Sequence, residues 1–202
     1  MTCKFDKAWQ GLCGKECVGD FCEDHLGIKC RCGKQATSEC SETPSLVCGV
    51  PLCGDLYCKA EHDFAEHSIF LVDSKFGCEI ALISLAEYAT LPKEDLLKAI
   101  AAIKQKTLTT KGLYQKNLSD RFESRLPFFK QSLLTYYFYK TFVENDLFFI
   151  PKSTEVVYEE IESENKWILG LEKEGIKKVF AFTYIEPKER FDIGDFSVEA
   201  LS

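Results

Sequence analysis

The stretch CGVPLCGDLYCKAEHDFAEH, residues 48–67, carries three cysteines and two histidines. Thiolate sulfur and imidazole nitrogen are the side-chain donors that zinc takes up most readily. The enrichment continues upstream. Ten of the chain's eleven cysteines lie between Cys3 and Cys58, and all three histidines fall at or before His67. A disulfide framework has no need of histidine and leaves one of eleven thiols over, whereas zinc sites use mixed Cys/His shells routinely. The expectation is therefore structural zinc, with the thiols kept reduced in an intracellular, cytoplasmic setting.

Spacing divides the ligands. Cys3, Cys13, Cys22 and His25 form a C-x9-C-x8-C-x2-H run, enough to close one tetrahedral shell. Cys17 competes with Cys3 for the first position, since it stands in C-x3-C spacing with Cys13. Cys30, Cys32, Cys40, Cys48, Cys53, Cys58, His62 and His67 supply eight more ligands, enough for two further ions. KCRCGK reads as a zinc knuckle, with Gly33 allowing the tight turn whose amides reach thiolate sulfur. Twelve ligands fill three tetrahedral sites and leave Cys17 and Cys78 over. Residues 1–75 hold few large aliphatics, so zinc stands in for a core, at apparent binding energies of about 10–16 kcal/mol per structural site.

The first run, with Trp9 four residues before Cys13, resembles the plant WRC-type zinc motif, although its tryptophan and its third spacing are shifted. The tail from Cys53 through Cys58 and His62 to His67, followed by Ile69 and Phe70, resembles the C-terminal halves of AN1-type and B-box zinc fingers. Those families hold two zincs in a cross-brace. The resemblance implies Cys30, Cys32, Cys53 and Cys58 on one ion, and Cys40, Cys48, His62 and His67 on the other. Two spacings depart from both families: C30-x-C32 is one residue short and C40-x7-C48 is loose.

Catalysis finds little support in these residues. A catalytic zinc keeps a coordination position open, whereas here the ligands suffice to close every site. Neither H-E-x-x-H nor the zinc-deaminase signature occurs. Beyond residue 75 there is no histidine, which excludes Ser/His and Cys/His mechanisms built from that part alone. Cys78 reads as a buried structural thiol. The expectation is a protein that is not an enzyme and has no small-molecule substrate.

These sites must be carried by a chain of 202 residues whose composition changes near residue 75. Before it the chain is rich in Cys and Gly; after it the texture is amphipathic, which sets a zinc domain, 1–75, before an α+β domain, 76–202, with a boundary at 72–78. Helices are expected in EIALISLAEY, in PKEDLLKAIAAIKQK opening at Pro92, in YQKNLSDRFESRL, and in FFKQSLLTYYFYKTFVEND after Pro127. Strands are expected in LFFIP, EVVYEEI, KWILGL and KVFAFTYI, with LEKEGIKK as a turn or short helix. No internal repeat is visible in the sequence. The fold class is α+β, helices first and a small sheet after.

Charge narrows the function. The net charge of −7 gives the whole molecule no reason to seek nucleic acid or an anionic membrane. No apolar run reaches the roughly 18–20 residues of a membrane span, and the N-terminus lacks the apolar core of a signal peptide. Locally the balance swings. Residues 93–140 hold ten Lys/Arg against four Asp/Glu, and residues 141–202 hold seven against fourteen. Either the two halves complement each other, or Lys98, Lys104, Lys106, Lys111, Lys116, Arg121 and Arg125 form a phosphate-contacting stripe. Three readings follow. The leading one is an adaptor or inhibitor that binds a protein partner, of the kind phages and pathogens encode as regulators. The others are a nucleic-acid-binding protein using 93–140, and a ubiquitin-pathway adaptor implied by the AN1/B-box resemblance.

Overall fold

The computed structural model describes residues 1–7, 10–41, 48–67, 72–117, 121–147, 154–173, 175–189 and 191–201. Trp9, Ile69 and Phe70 lie outside these residues, as does most of LFFIP. The chain forms two compact units, Met1–Ala60 and Glu61–Ser202. This division falls before the compositional change at 72–78, because the composition follows the ligands, whereas compactness follows the packing of the residues around Phe64.

The first unit is nearly all turn. Its strands are β1 Asp6–Lys7, β2 Gly11–Leu12, β3 Ser38–Glu39 and β4 Pro51–Leu52, in the order β2-β1-β3-β4. The β1–β2 and β3–β4 pairs are antiparallel, and β1 meets β3 in parallel through Asp6 and Ser38. Strands of two residues cannot hold themselves together in water. The apolar cluster here is Cys3, Phe5, Cys22 and Ala36, with Cys13, Cys17, Phe21 and Ile28 packed against it. Half of its members are cysteines. The first helix, α1 Leu56–Glu66, begins in this unit. Asp55 caps it, accepting from the amides of Tyr57 at 3.0 Å and Cys58 at 3.3 Å, and Lys34 holds the same carboxylate at 2.9 Å. These donors keep the Asp55 carboxyl below its usual range.

The second unit has an ordinary core. It contains α2 Lys75–Glu87, α3 Lys93–Asn117 and α4 Phe122–Glu144, then β5 Glu155–Ile161, β6 Lys166–Lys173, β7 Ile176–Ile185 and β8 Asp195–Ala200. Ser74 caps α2 through the Gly77 amide at 3.0 Å. Glu94 and Asp95 stand in the first turn of α3, where they complement the helix dipole. The four strands form an antiparallel meander, β5-β6-β7-β8. Helix α4 packs on α3, α2, β7 and β8, and α2 packs on β5. Phe122, Phe129, Leu133, Leu134, Phe138, Phe142 and Val143 of α4 are all buried, as expected of a helix covered on most of its sides. Phe138 and Phe142 stack at 4.2 Å. Near its start this unit also buries Asp63, which accepts the hydroxyl of Tyr88.

Four elements differ from the sequence reading. The expected third helix, 114–126, is not a separate element: α3 runs on through Asn117, and α4 starts at Phe122. Pro127 stands inside α4 and does not open it. Its missing amide costs the bond to the Glu123 carbonyl, which the burial of Phe129, Leu133 and Phe142 along the same helix offsets. Strand β8 is not among the expected strands, because DFSVEA carries polar residues at three of its six positions and no aliphatic or aromatic run; Phe196 is its buried member and pairs with Tyr184. The segment LEKEGIKK is strand up to Lys173 and again from Ile176, around Gly175 at φ +80°.

Two glycines test this packing with opposite signs. A Cβ on Gly170 would meet the Lys178 carbonyl oxygen and lie 2.7 Å from the Val179 Cα, so Gly170→Ala should destabilise the second unit by roughly 1–3 kcal/mol. Gly112 sits inside α3 with open space around it, so Gly112→Ala should stabilise by about 0.5–1 kcal/mol. Denaturant midpoints of the two variants check both signs.

Candidate metal centres

Three sets of four ligand atoms converge, each set lying within 4.8 Å of one another. The first is Cys3, Cys13, Cys22 and His25; the second is Cys30, Cys32, Cys53 and Cys58; the third is Cys40, Cys48, His62 and His67. In chain order the first set is contiguous. The pairs of the second and third alternate: 30/32, 40/48, 53/58, 62/67. This is the interleaving that the cross-brace resemblance implies.

The spacings suit a tetrahedral ion. Bonds of about 2.3 Å to sulfur and 2.0–2.1 Å to nitrogen give tetrahedral edges of about 3.8 Å between sulfurs, 3.5 Å from sulfur to nitrogen and 3.3 Å between nitrogens. In the first set Cys13 and Cys22 Sγ lie 3.9 Å apart, and His25 Nδ1 lies 3.4 Å from Cys3 Sγ and 3.2 Å from Cys22 Sγ. Cys32 and Cys53 Sγ of the second set are 3.6 Å apart. His62 and His67 of the third present Nε2 atoms 3.2 Å apart with their rings nearly perpendicular. Disulfide sulfurs bond at about 2.05 Å, and all eleven cysteines are free thiols. Phe5 lies flat against the His25 ring at 4.3 Å and 4°, which fixes the plane from which Nδ1 points.

One backbone device builds all three sets. In each, the amide of the first cysteine donates to the residue two beyond the second cysteine: Cys3 to the Lys15 carbonyl at 2.8 Å, Cys30 to Lys34 at 2.9 Å, Cys40 to Val50 at 2.9 Å. The glycine after the second cysteine donates back to the carbonyl of the first: Gly14 to Cys3, Gly33 to Cys30, Gly49 to Cys40. Those glycines, together with Gly54 after Cys53, all have φ between +65° and +85°. A Cβ at Gly54 would also press on Thr37 Oγ1 at 3.3 Å. The sequence therefore hides a repeat: the dipeptide Cys-Gly at 13, 32, 48 and 53, of which the sequence reading used Gly33 alone. A left-handed residue after a ligand is needed for the tight turn, and glycine adopts it at no steric cost.

Amide donors also reach the sulfurs. Cys3, Cys22, Cys32 and Cys53 accept from the backbone of Phe5, Asp24, Lys34 and Asp55, each two residues on. Burial pushes the Cys3 thiol up, but the Cys22 and Phe5 amides and the His25 ring outweigh it and bring it to about 6. At Cys32 the Lys34 amide dominates and brings the thiol to about 7. Burial and the neighbouring sulfurs push Cys58 up. Four sulfurs packed this closely resist ionising together without a cation, which is the demand a divalent ion meets.

The two remaining cysteines stand apart. Cys17 turns its thiol to the Gly19 carbonyl at 2.8 Å, so Cys3 takes the first-site position for which both compete in sequence. Cys78 is fully buried in α2, where burial raises its thiol to about 12. In comparisons with known proteins, no family model, no curated protein and no solved structure matches this chain. What the structure defines is a class: a mixed helix-and-sheet protein with three Cys/His clusters among the described residues, each able to hold a metal ion. No helix among the described residues is long and apolar enough to cross a membrane.

Proposed function

We propose that the chain is a non-enzymatic interaction protein, an adaptor or inhibitor whose zinc-held first unit is a rigid platform for a protein partner. The observation that carries this reading is the four-ligand complement of every cluster, which leaves no coordination position for water or substrate. Zinc is the metal proposed, because Cys₄ and mixed Cys/His shells of tetrahedral dimension are its usual structural sites. Thiolate ligation of this kind belongs in a reducing, intracellular compartment. The alternating second and third sets support the likeness to AN1-type and B-box cross-braces, while the first set carries the WRC-like run.

Charge pairing favours a protein partner over nucleic acid. Of the basic stripe, Lys98 pairs with Asp95 at 3.0 Å, Lys104 with Asp195 at 3.4 Å, Lys106 with Glu66 at 2.7 Å, and Lys111 with Asp192. Two of those acids, Asp192 and Asp195, belong to the acidic C-terminal half, so the two halves of the second unit answer each other. Lysines engaged in this way are poor candidates for phosphate contacts.

Affinity capture on the tagged, zinc-loaded chain in native lysate, with and without nuclease, tests the reading. A protein partner retained after nuclease and moderate salt is expected. Recovery of nucleic acid alone, lost as salt rises, overturns it. A partner drawn from the ubiquitin system would assign the pathway that the cross-brace likeness suggests.

A further inference from the structure

Residues 15–26, the segment that carries the third and fourth ligands of the first site, line an open groove of about 610 Å³. Ligand grooves have volumes of this order. Its apolar lining is Val18, Phe21 and Leu26. Val18 is 99% exposed and Leu26 69% exposed. Phe21 is half-buried, its other side packed on the cluster of Cys3, Phe5, Cys22 and Ala36. The groove thus stands on the metal-held core and is braced by backbone bonds from Lys4 to Asp20 at 2.8 Å and from Cys17 to Met1 at 2.9 Å.

The rim is acidic, and its charge is only half answered. Asp20 pairs with Lys4 at 2.8 Å and Asp24 with Lys15 at 2.5 Å. Glu16 and Glu23 are exposed and have no ion-pair partner among the described residues. Both line the groove. An apolar floor beside two unanswered carboxylates matches an apolar side chain flanked by cations, and the same carboxylates repel phosphate.

We propose that this groove takes a basic segment of a partner protein, seating one apolar side chain against Val18, Phe21 and Leu26 while flanking lysines or arginines face Glu16 and Glu23. This deepens the interaction-protein reading and rests on it. A preformed groove lowers the ordering cost of binding, so a short peptide suffices as a probe.

Cys17 lines the same groove and supplies the readout. With nine cysteines on metal and Cys78 buried, it is the accessible free thiol of the loaded protein. The probes are fluorescein-labelled peptides KKKLKKK, KKKAKKK and EEELEEE, added to the zinc-loaded full chain. Anisotropy should show KKKLKKK binding about tenfold tighter than KKKAKKK, and no binding of EEELEEE. KKKLKKK should also slow alkylation of Cys17 by iodoacetamide. The double variant Glu16→Lys/Glu23→Lys, both on exposed positions, should weaken KKKLKKK at least tenfold with zinc content unchanged. Absence of binding, indifference to the central leucine or to the double variant, or unchanged Cys17 alkylation overturns the groove assignment. The two readings fail separately. If the double variant still captures the wild-type partner from lysate, the groove falls and the interaction reading stands; if neither chain captures a protein, the interaction reading itself falls.

Discussion

Stripping the metal with EDTA should unfold the first unit, residues 1–60, and leave the helices and sheet of the second standing. The asymmetry follows from where the apolar mass lies. Of the twelve largest fully buried side chains, Phe5 alone belongs to the first unit. One such residue contributes about 1.5–3 kcal/mol of burial, against about 1–2 kcal/mol of backbone entropy for every residue ordered. Two-residue strands add little to this. The two metal sites whose ligands all lie in this unit, at about 10–16 kcal/mol each, far exceed what that burial supplies. The second unit buries Phe64, Leu82, Leu85, Tyr88, Leu96, Phe122, Phe129, Phe138, Tyr139, Phe142 and Phe182 with no need of an ion.

Far-ultraviolet circular dichroism should therefore change little, since α2, α3 and α4 span 13, 25 and 23 residues against 11 in α1. Hydrogen exchange resolves the effect. The amides of Cys3, Cys30 and Cys40, each bonded across its knuckle, should lose protection in chelator, while those of α4 keep theirs. Knuckle amides that stay protected in metal-free protein would sink the structural-metal reading.

The sequence disclosed its parts unevenly, for physical reasons. Ligand residues were legible because cysteine and histidine at such density serve little else, and the interleaving came only through the cross-brace likeness, since spacing alone leaves pairing open. Of the four glycines that follow a ligand cysteine, Gly33 alone stands in a recognisable knuckle sequence, although the dipeptide Cys-Gly occurs at all four places. Strands β5, β6 and β7 announced themselves through β-branched and aromatic runs. Strand β8 did not, because only Phe196 among its six residues is buried, so its pattern is mostly that of a solvated surface. Pro127 misled because proline reads as a stop, whereas near the start of a long buried helix the packing of Phe129, Leu133 and Phe142 outweighs one lost hydrogen bond. The charge reversal between the halves was visible too. Which lysine meets which acid needed the fold, since Lys104 and Asp195 are ninety-one positions apart.

Cysteine variants should separate ligands from bystanders by whole metal equivalents. Wild-type chain should hold three zinc ions, and Cys3→Ser or Cys22→Ser should hold two, because each removes a buried sulfur from the first set. A hydroxyl is a poor zinc ligand beside a thiolate, and three remaining donors leave the ion open to water and to chelator. The first set is contiguous in the chain, so the second and third should stay loaded. Cys17→Ser should still bind three, because its thiol donates to the Gly19 carbonyl and is not among the four converging ligands. Cys78→Ala should bind three as well, and its cost should appear in the stability of the second unit, where α2 buries that side chain. Metal analysis after gel filtration in dilute chelator reads all four. A Cys17→Ser protein that loses an equivalent, with Cys3→Ser retaining three, would reverse the assignment of the first ligand, and with it the orientation of the loop on which the acidic groove is built.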